Sequence, residues 1–290
     1  MRPLASSSMK ALTWHKEPEL NAPVAYVAFS GWSDAADAAS GAVQYLIDQS
    51  VEVEPLATIS GEGLYDFSQT RPETLIIDGI NHGIEWPAIQ VQELRNPAWQ
   101  RDLVVVTGPE PEFKWSTVTD HLVDLFHEVG ASGVFLLGAF IGRVAHTLPV
   151  PIMAVGSDPE VFEEHELLGA NYQGPTGIVG VLNAMCTSAG FPTVGLWAAV
   201  PHYLAANPNP RAMLALLKRS GEITGAAIDL SALETDAIDF HQQIEAAVSA
   251  SVELADYVAE LENDAEDPIM EPEAGERLAT EIERFLREPD

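Results

Sequence analysis

The chain has 290 residues, 14 Lys plus Arg against 44 Asp plus Glu, a net charge of −30, 47% apolar residues and a single cysteine. That apolar share belongs to a packed globular chain and excludes a disordered one, while the charge excludes nucleic acid and membrane surfaces as partners, because both are bound by clustered Lys and Arg. A lone Cys186 excludes an internal disulfide framework and any multi-cysteine metal site.

Residues 1–10 are polar and lack the apolar stretch of a signal peptide, so a cytoplasmic location is expected. Residues 24–29 form a short β-favouring run that meets Gly31, and residues 35–49 follow with a helical pattern. Strand-like runs return at 74–78, 103–107, 134–138, 152–156 and 193–200. Helical patterns lie between several of them, at 116–129, 176–189 and 211–219. The last is framed by Asn209 as N-cap, Pro210 at the first helical position, Lys218 and Arg219 in the final turn, and Gly221 as its stop. Alternating strands and helices predict a mostly parallel sheet covered on both faces, and residues 89–94 add an antiparallel member, so the sheet is mixed. Residues 167–210 carry no Asp, Glu, Lys or Arg, but their Gly and Pro break them into short elements at the buried centre of the fold.

The charge shifts near residue 225. From Asp229 to Asp290 there are 19 acidic and 3 basic residues, which predicts an α/β body over 1–225 and an acidic helical tail over 226–290. Ala237, Phe240, Ile244, Ala247, Ser251, Leu254, Val258 and Leu261 share one stripe, so a long amphipathic helix is expected to pack on the body or on a sister helix. Leu278, Ile282 and Phe285 mark a second, short helix.

Four places hold candidate chemistry. Gly31, Trp32, Ser33, Asp34 and Ala35 sit at a strand-to-helix turn, where an exposed Ser resembles a nucleophile elbow. Helix capping alone explains Ser33 and Asp34, and activation of the Ser requires a positioned base. The Gly-rich turn from Tyr172 to Gly180, with Gly174, Thr176 and Gly177, opens a helix and offers free N–H groups to an anion; helix start and close packing account for the same residues. Arg143 and His146 lie in a loop after an uncharged strand. Arg143 needs an acceptor there, either a carboxylate such as Glu110, Glu112 or Asp66 or an anionic ligand, and His146 is a structural histidine or a general base. The acidic loops 61–67 and 108–115 have a spacing that selects neither acid–base work nor a hard cation. Cys186 reads as a small core hydrophobe. No complete metal or catalytic signature emerges, and no cofactor is expected.

The motifs Gly31-Trp32-Ser33-Asp34-Ala35-Ala36-Asp37-Ala38-Ala39, Tyr65-Asp66-Phe67 with Thr70-Arg71-Pro72, and Gly108 and Glu110-Pro111 with Lys114-Trp115 recur in order with three more. These are Val144-Ala145-His146-Thr147 with Pro149, Tyr172 with Gly174-Pro175-Thr176-Gly177, and Leu196-Trp197-Ala198-Ala199-Val200-Pro201-His202-Tyr203. Together they resemble the proteasome assembly chaperone 2 family, in its bacterial, actinobacterial-type branch. The resemblance implies a three-layer α/β/α body like that of phosphorylases and related hydrolases, with a C-terminal helical appendage. It also implies self-association into rings or trimers, the trimer being the first expectation, and proteasome-related subunits as partners. It transfers no catalytic residue. The expected function is therefore a non-catalytic, ATP-independent oligomeric binding or assembly protein. The alternative is a phosphorylase- or hydrolase-like enzyme acting on a small anionic or nucleoside-like ligand at the Gly31 and Gly174 turns. The chain ends Glu288-Pro289-Asp290 in place of the hydrophobic residue, tyrosine and final residue of ring-docking relatives, so docking by that route is not expected.

Overall fold

The computed structural model describes residues 12–206 and 208–263. Eleven strands are described: β1 (Leu12–Trp14), β2 (Val24–Ser30), β3 (Glu52–Ser60), β4 (Glu73–Ile77), β5 (Ile80–Glu85), β6 (Ala88–Arg95), β7 (Leu103–Pro109), β8 (Gly133–Gly142), β9 (Ile152–Gly156), β10 (Leu168–Gly169) and β11 (Thr193–Pro201). The α-helices are α1 (Ala38–Asp48), α2 (Trp115–Glu128), α3 (Pro159–Glu164), α4 (Ile178–Ser188), α5 (Pro210–Thr224), α6 (Ser231–Ser249) and α7 (Val252–Asn263).

Nine strands join in one mixed sheet of order β1-β3-β6-β7-β2-β8-β11-β9-β10. Its centre, β7-β2-β8-β11, is parallel, and β6, β3 and β1 extend it antiparallel on one side while β9 opposes β11 on the other. The central strands are apolar nearly throughout because helices cover both of their faces. Tyr26, Leu137 and Leu196 point to the face that packs on α1 and α5, whereas Val27, Val106 and Leu136 point to the face that packs on α2 and α4. This is the three-layer α/β/α arrangement with helices at the C-terminal end. At the strand flank one buried acid, Glu93, pairs through Oε1 with Lys16 at 2.5 Å and Arg95 at 3.0 Å, while its Oε2 is buried with no hydrogen-bond partner among the described residues.

Several elements differ from expectation. The helix expected from residue 35 begins at Ala38, because Ala36 and Asp37 take positive φ (53° and 49°) in a preceding tight turn. Helix α5 does not stop at Gly221. It runs on to Thr224 and ends where Gly225 adopts φ 69°, the left-handed geometry that closes helices. The long tail helix is broken into α6 and α7 by Ser249-Ala250-Ser251, where the Ser251 hydroxyl accepts from the Leu254 N–H at 3.4 Å and starts a new helix. The short helix expected around Leu278 to Phe285 lies outside the described residues.

The run 74–78 is a strand, but it stands outside the nine-stranded sheet. It pairs only with β5 in a two-stranded ribbon. Asp78 and Gly79, both at positive φ (51° and 78°), make the tight turn that two-residue hairpins demand.

The first turn of α6 joins the body core through Leu233, with Ile228 and Leu230 beside it. Further along, Ile244 and Val248 of α6 and Leu254, Val258 and Leu261 of α7 form a third apolar cluster with Ala145, Tyr203 and Leu204. The two helices thus cover the carboxyl ends of β8 and β11. Among the described residues, no helix is long and apolar enough to cross a membrane.

Candidate functional site

Strands β2, β3, β7, β8 and β11 run in the same direction, so the loops that follow them meet at one edge of the sheet. This is the edge where α/β folds place ligands. Two groups of side chains form there.

The first group surrounds the turn after β2. Gly31 takes φ 121°, Trp32 is exposed, and Ser33 and Asp34 are buried. Asp34 caps α1: Oδ1 accepts from the N–H groups of Ala39 (2.7 Å) and Ser40 (3.1 Å), and Oδ2 accepts from the Ser40 hydroxyl (2.5 Å). Burial raises its pKa above the usual carboxylate range, against the lowering by these hydrogen bonds. The Ser33 carbonyl accepts from the Ala139 N–H at 2.8 Å, which ties the turn to β8. Its hydroxyl is buried with no hydrogen-bond partner among the described residues.

Gly177, the N-cap of α4, is pressed against this turn. A Cβ there would lie 2.6 Å from Ser33 Oγ, 2.6 Å from Glu110 Oε1 and 3.1 Å from the Trp32 ring, so only glycine permits the approach. The orphan N–H at the start of α4 is taken by Glu110, whose Oε1 accepts from Ile178 N at 2.8 Å. The anion at this helix N-terminus is therefore the protein's own carboxylate. Thr176 packs on Gly180, while Gly174 lies against the Tyr172 hydroxyl, which donates to the Pro175 carbonyl at 2.8 Å. The structure thus brings Gly31, Trp32, Ser33 and Asp34 together with Gly177 and the stretch holding Gly174 and Thr176. Glu110 is the residue that links them.

The two acidic loops also meet. Glu112 accepts from the Asp66 N–H (3.3 Å) and the Thr70 hydroxyl (2.6 Å), Tyr65 donates to the Pro109 carbonyl (2.8 Å), and the Phe113 N–H donates to the Leu64 carbonyl (3.0 Å). These carboxylates stitch loops together, and Asp66 is further engaged by Ser68.

His146 belongs to the second group, under α6, and Arg143 precedes it in the same loop. Arg143 is exposed, and the three carboxylates expected for it are engaged as described. The clamp in this loop is instead Arg211 of α5. Its guanidinium donates to the His146 carbonyl, to the Leu148 carbonyl at 3.1 Å and to His241 Nδ1 at 3.3 Å. His146 is buried. The Tyr203 hydroxyl accepts from its backbone N–H (2.8 Å) and lies 2.9 Å from Nδ1, and Nε2 lies 2.9 Å from Glu245 Oε1 of α6. This order suits a His146 with Nδ1 accepting from Tyr203 and Nε2–H donating to Glu245. His146, His241 and Glu245 hold three potential ligand atoms within 4.8 Å of one another. A guanidinium bonded to one of them places a fixed positive charge where a cation would sit, so the set fits a hydrogen-bonded clamp.

Burial lowers the pKa of His146, outweighing Glu245, and burial lowers that of His202 as well. Both imidazoles therefore take up a proton less readily in the fold than in the unfolded chain, which takes up protons below about pH 6.5. Their contribution to stability is therefore present above that pH and lost as pH falls through and below it. Thermal melts should show the protein losing stability between neutral and mildly acidic pH, with part of that slope removed in His146→Gln. An identical slope in the variant would show that His146 does not couple to folding. Cys186 is a core residue, its thiol pushed up to about 12 by burial.

Residues 28–248 match the model of the PAC2 family. A PAC2 family protein from Streptomyces avermitilis is 40% identical, with 81% of this chain and 99% of that chain covered and a TM-score of 0.75. A proteasome-assembly chaperone homologue from Mycobacterium tuberculosis is 36% identical, with the same coverage of 81% and 99% and a TM-score of 0.75. An archaeal homologue from Pyrococcus furiosus, at 16% identity, 80% and 94% coverage and a TM-score of 0.58, shares the fold. No curated protein matches the chain by sequence. With the family model spanning most of its length and relatives at 36–40% identity from Streptomyces and Mycobacterium, the chain belongs to the PAC2 family.

Proposed function

We propose that the chain is a non-catalytic, self-associating binding protein of assembly-chaperone type, working in the cytoplasm on proteasome-related subunits. The observation that carries this reading is the surface at the carboxyl edge of the sheet. Trp32, Trp86, Phe113 and Tyr172 are each more than half exposed there, on a chain of net charge −30. Exposed aromatic side chains of this density mark protein-docking surfaces, where such residues supply most of the binding energy. The groups beneath them favour the same reading. Asp34 is consumed in capping α1 and Glu110 in capping α4, so the carboxylates nearest Ser33 are engaged in holding the fold. The relative from Mycobacterium tuberculosis, described as a proteasome-assembly chaperone homologue, adds support for the class of partner.

The test is native mass spectrometry of the full chain mixed with purified α-type proteasome subunits at micromolar concentration. A stoichiometric complex is expected, weakened about tenfold or more in Trp32→Ala or Phe113→Ala, as for the loss of an aromatic anchor. Absence of any complex, or one indifferent to both substitutions, would contradict the proposal.

A further inference from the structure

The junction beneath the exposed aromatic side chains has incomplete bonding. Ser33 Oγ and Glu110 Oε1 each stand 2.6 Å, and the Trp32 ring 3.1 Å, from the point that a Cβ on Gly177 would occupy, so the three are gathered around one place. Ser33 is only 2% exposed, and its hydroxyl has no hydrogen-bond partner among the described residues. Such an orphan is rare in a fold, because a buried polar group without a partner costs stability. Glu110 uses Oε1 to accept from the Ile178 N–H. Its Oε2 lies beside the Gly31 turn, 3.8 Å from where a Cβ on Gly31 would stand. Among the described residues no Lys or Arg pairs with this carboxylate.

We propose that this junction is the anchor point for a cationic side chain, arginine above all, of the protein partner. The inference rests on the binding function proposed above and names the chemistry by which the edge recognises its partner. Charge and bonding decide among occupants. The loops that meet here carry Asp34, Glu62, Asp66, Glu110 and Glu112 against Lys114 alone, so an anion is repelled. An apolar side chain would leave the Ser33 hydroxyl and the open edge of Glu110 unsatisfied. A hard metal ion such as calcium takes about six to eight oxygen ligands, more than one carboxylate edge and one hydroxyl supply.

A guanidinium suits each feature. Its N–H groups can donate to Glu110 Oε2 and to Ser33 Oγ, and its plane stacks on the indole of Trp32. Because Ser33 Oγ is buried, the guanidinium reaches it only with a movement of the Trp32 side chain, whose 56% exposure leaves room. Phe113 and Tyr172, on the adjoining loops and each about half exposed, then cover the apolar stem of the arginine.

The test is amide-resolved NMR of the full, isotope-labelled chain titrated with N-acetyl-argininamide and with its neutral analogue N-acetyl-citrullinamide. The arginine compound should shift the amides of Trp32, Ser33, Gly177 and Ile178 saturably, and the citrulline compound should not. Glu110→Gln keeps an oxygen for the Ile178 N–H and removes the charge, so it should fold as wild type by circular dichroism and bind argininamide about tenfold more weakly. Ser33→Ala removes the orphan, so the free chain should be at least as stable while argininamide binding weakens, by about tenfold for a lost hydrogen bond to a charged group. Shifts confined to other acidic surfaces, equal shifts with citrullinamide, or affinities unchanged in both variants would overturn the proposal. If α-type proteasome subunits bind and their complex is weakened by Trp32→Ala yet indifferent to Glu110→Gln and to added salt, the binding function stands and the cationic anchor falls. If no such complex forms while argininamide still shifts the junction, the anchor stands and the proteasome reading falls.

Discussion

Truncation after Gly225 is expected to leave a body that does not fold stably. The helices removed bury Leu233, Ile244, Val248, Leu254, Val258 and Leu261, the first in the core shared with α1 and α5 and the others against Ala145, Tyr203 and Leu204. At roughly 1.5 to 3 kcal/mol for each large apolar side chain taken from water, the loss is on the order of 10 kcal/mol. That rivals the whole stability of a typical domain, about 5 to 15 kcal/mol. The truncated chain should aggregate on expression or melt without a cooperative transition in circular dichroism. A soluble truncated body with the melting temperature of the full chain would show that α6 and α7 are appendages.

The second large effect is expected at Arg211. Replacing it with Ala leaves the carbonyls of His146 and Leu148 without their charged donor and releases the 143–150 loop from the junction of α5 and α6. Hydrogen bonds to charged groups contribute about 1.5 to 3 kcal/mol each, and partial solvation of the freed carbonyls offsets some of that loss. A net loss of about 3 kcal/mol is expected, lowering the melting temperature by about 6 to 12 °C in a chain of this size. Arg143→Ala, at an exposed position, should change it far less. Equal effects at the two positions, or a larger one at Arg143, would refute this assignment of the clamp.

The parallel centre of the fold was readable because β2, β7, β8 and β11 are continuous apolar runs, the pattern that burial on both faces imposes. Strand β3 was hidden by Glu52, Glu54 and Pro55, which lie on its exposed half beside a bulge. The ribbon was misplaced for the opposite reason, since Leu75, Ile76 and Ile77 look like core residues in sequence and are exposed in the fold. At the site, the Gly31 and Gly177 turns were both visible as local motifs. Their meeting was not, because it depends on Glu110 reaching Ile178 across 68 positions. The clamp eluded sequence reasoning for the same cause. Arg211 is 65 and 63 positions from the carbonyls that it holds, while Arg143 drew notice by lying next to an uncharged strand. Local pattern therefore drew out the residues of the first group but not Arg211, whose partners lie far off in sequence.

The carboxyl edge of the sheet is the protein-docking surface proposed above, and its inner junction is closed by the chain's own Glu110 carboxylate. Crystals of the full chain soaked separately with phosphate and with adenosine distinguish that arrangement from a ligand site. Glu110 Oε1 should remain on the Ile178 N–H, with neither compound ordered at the junction. Phosphate or adenosine bound against Ser33 Oγ and Gly177, with Glu110 displaced, would contradict it and restore the enzyme alternative.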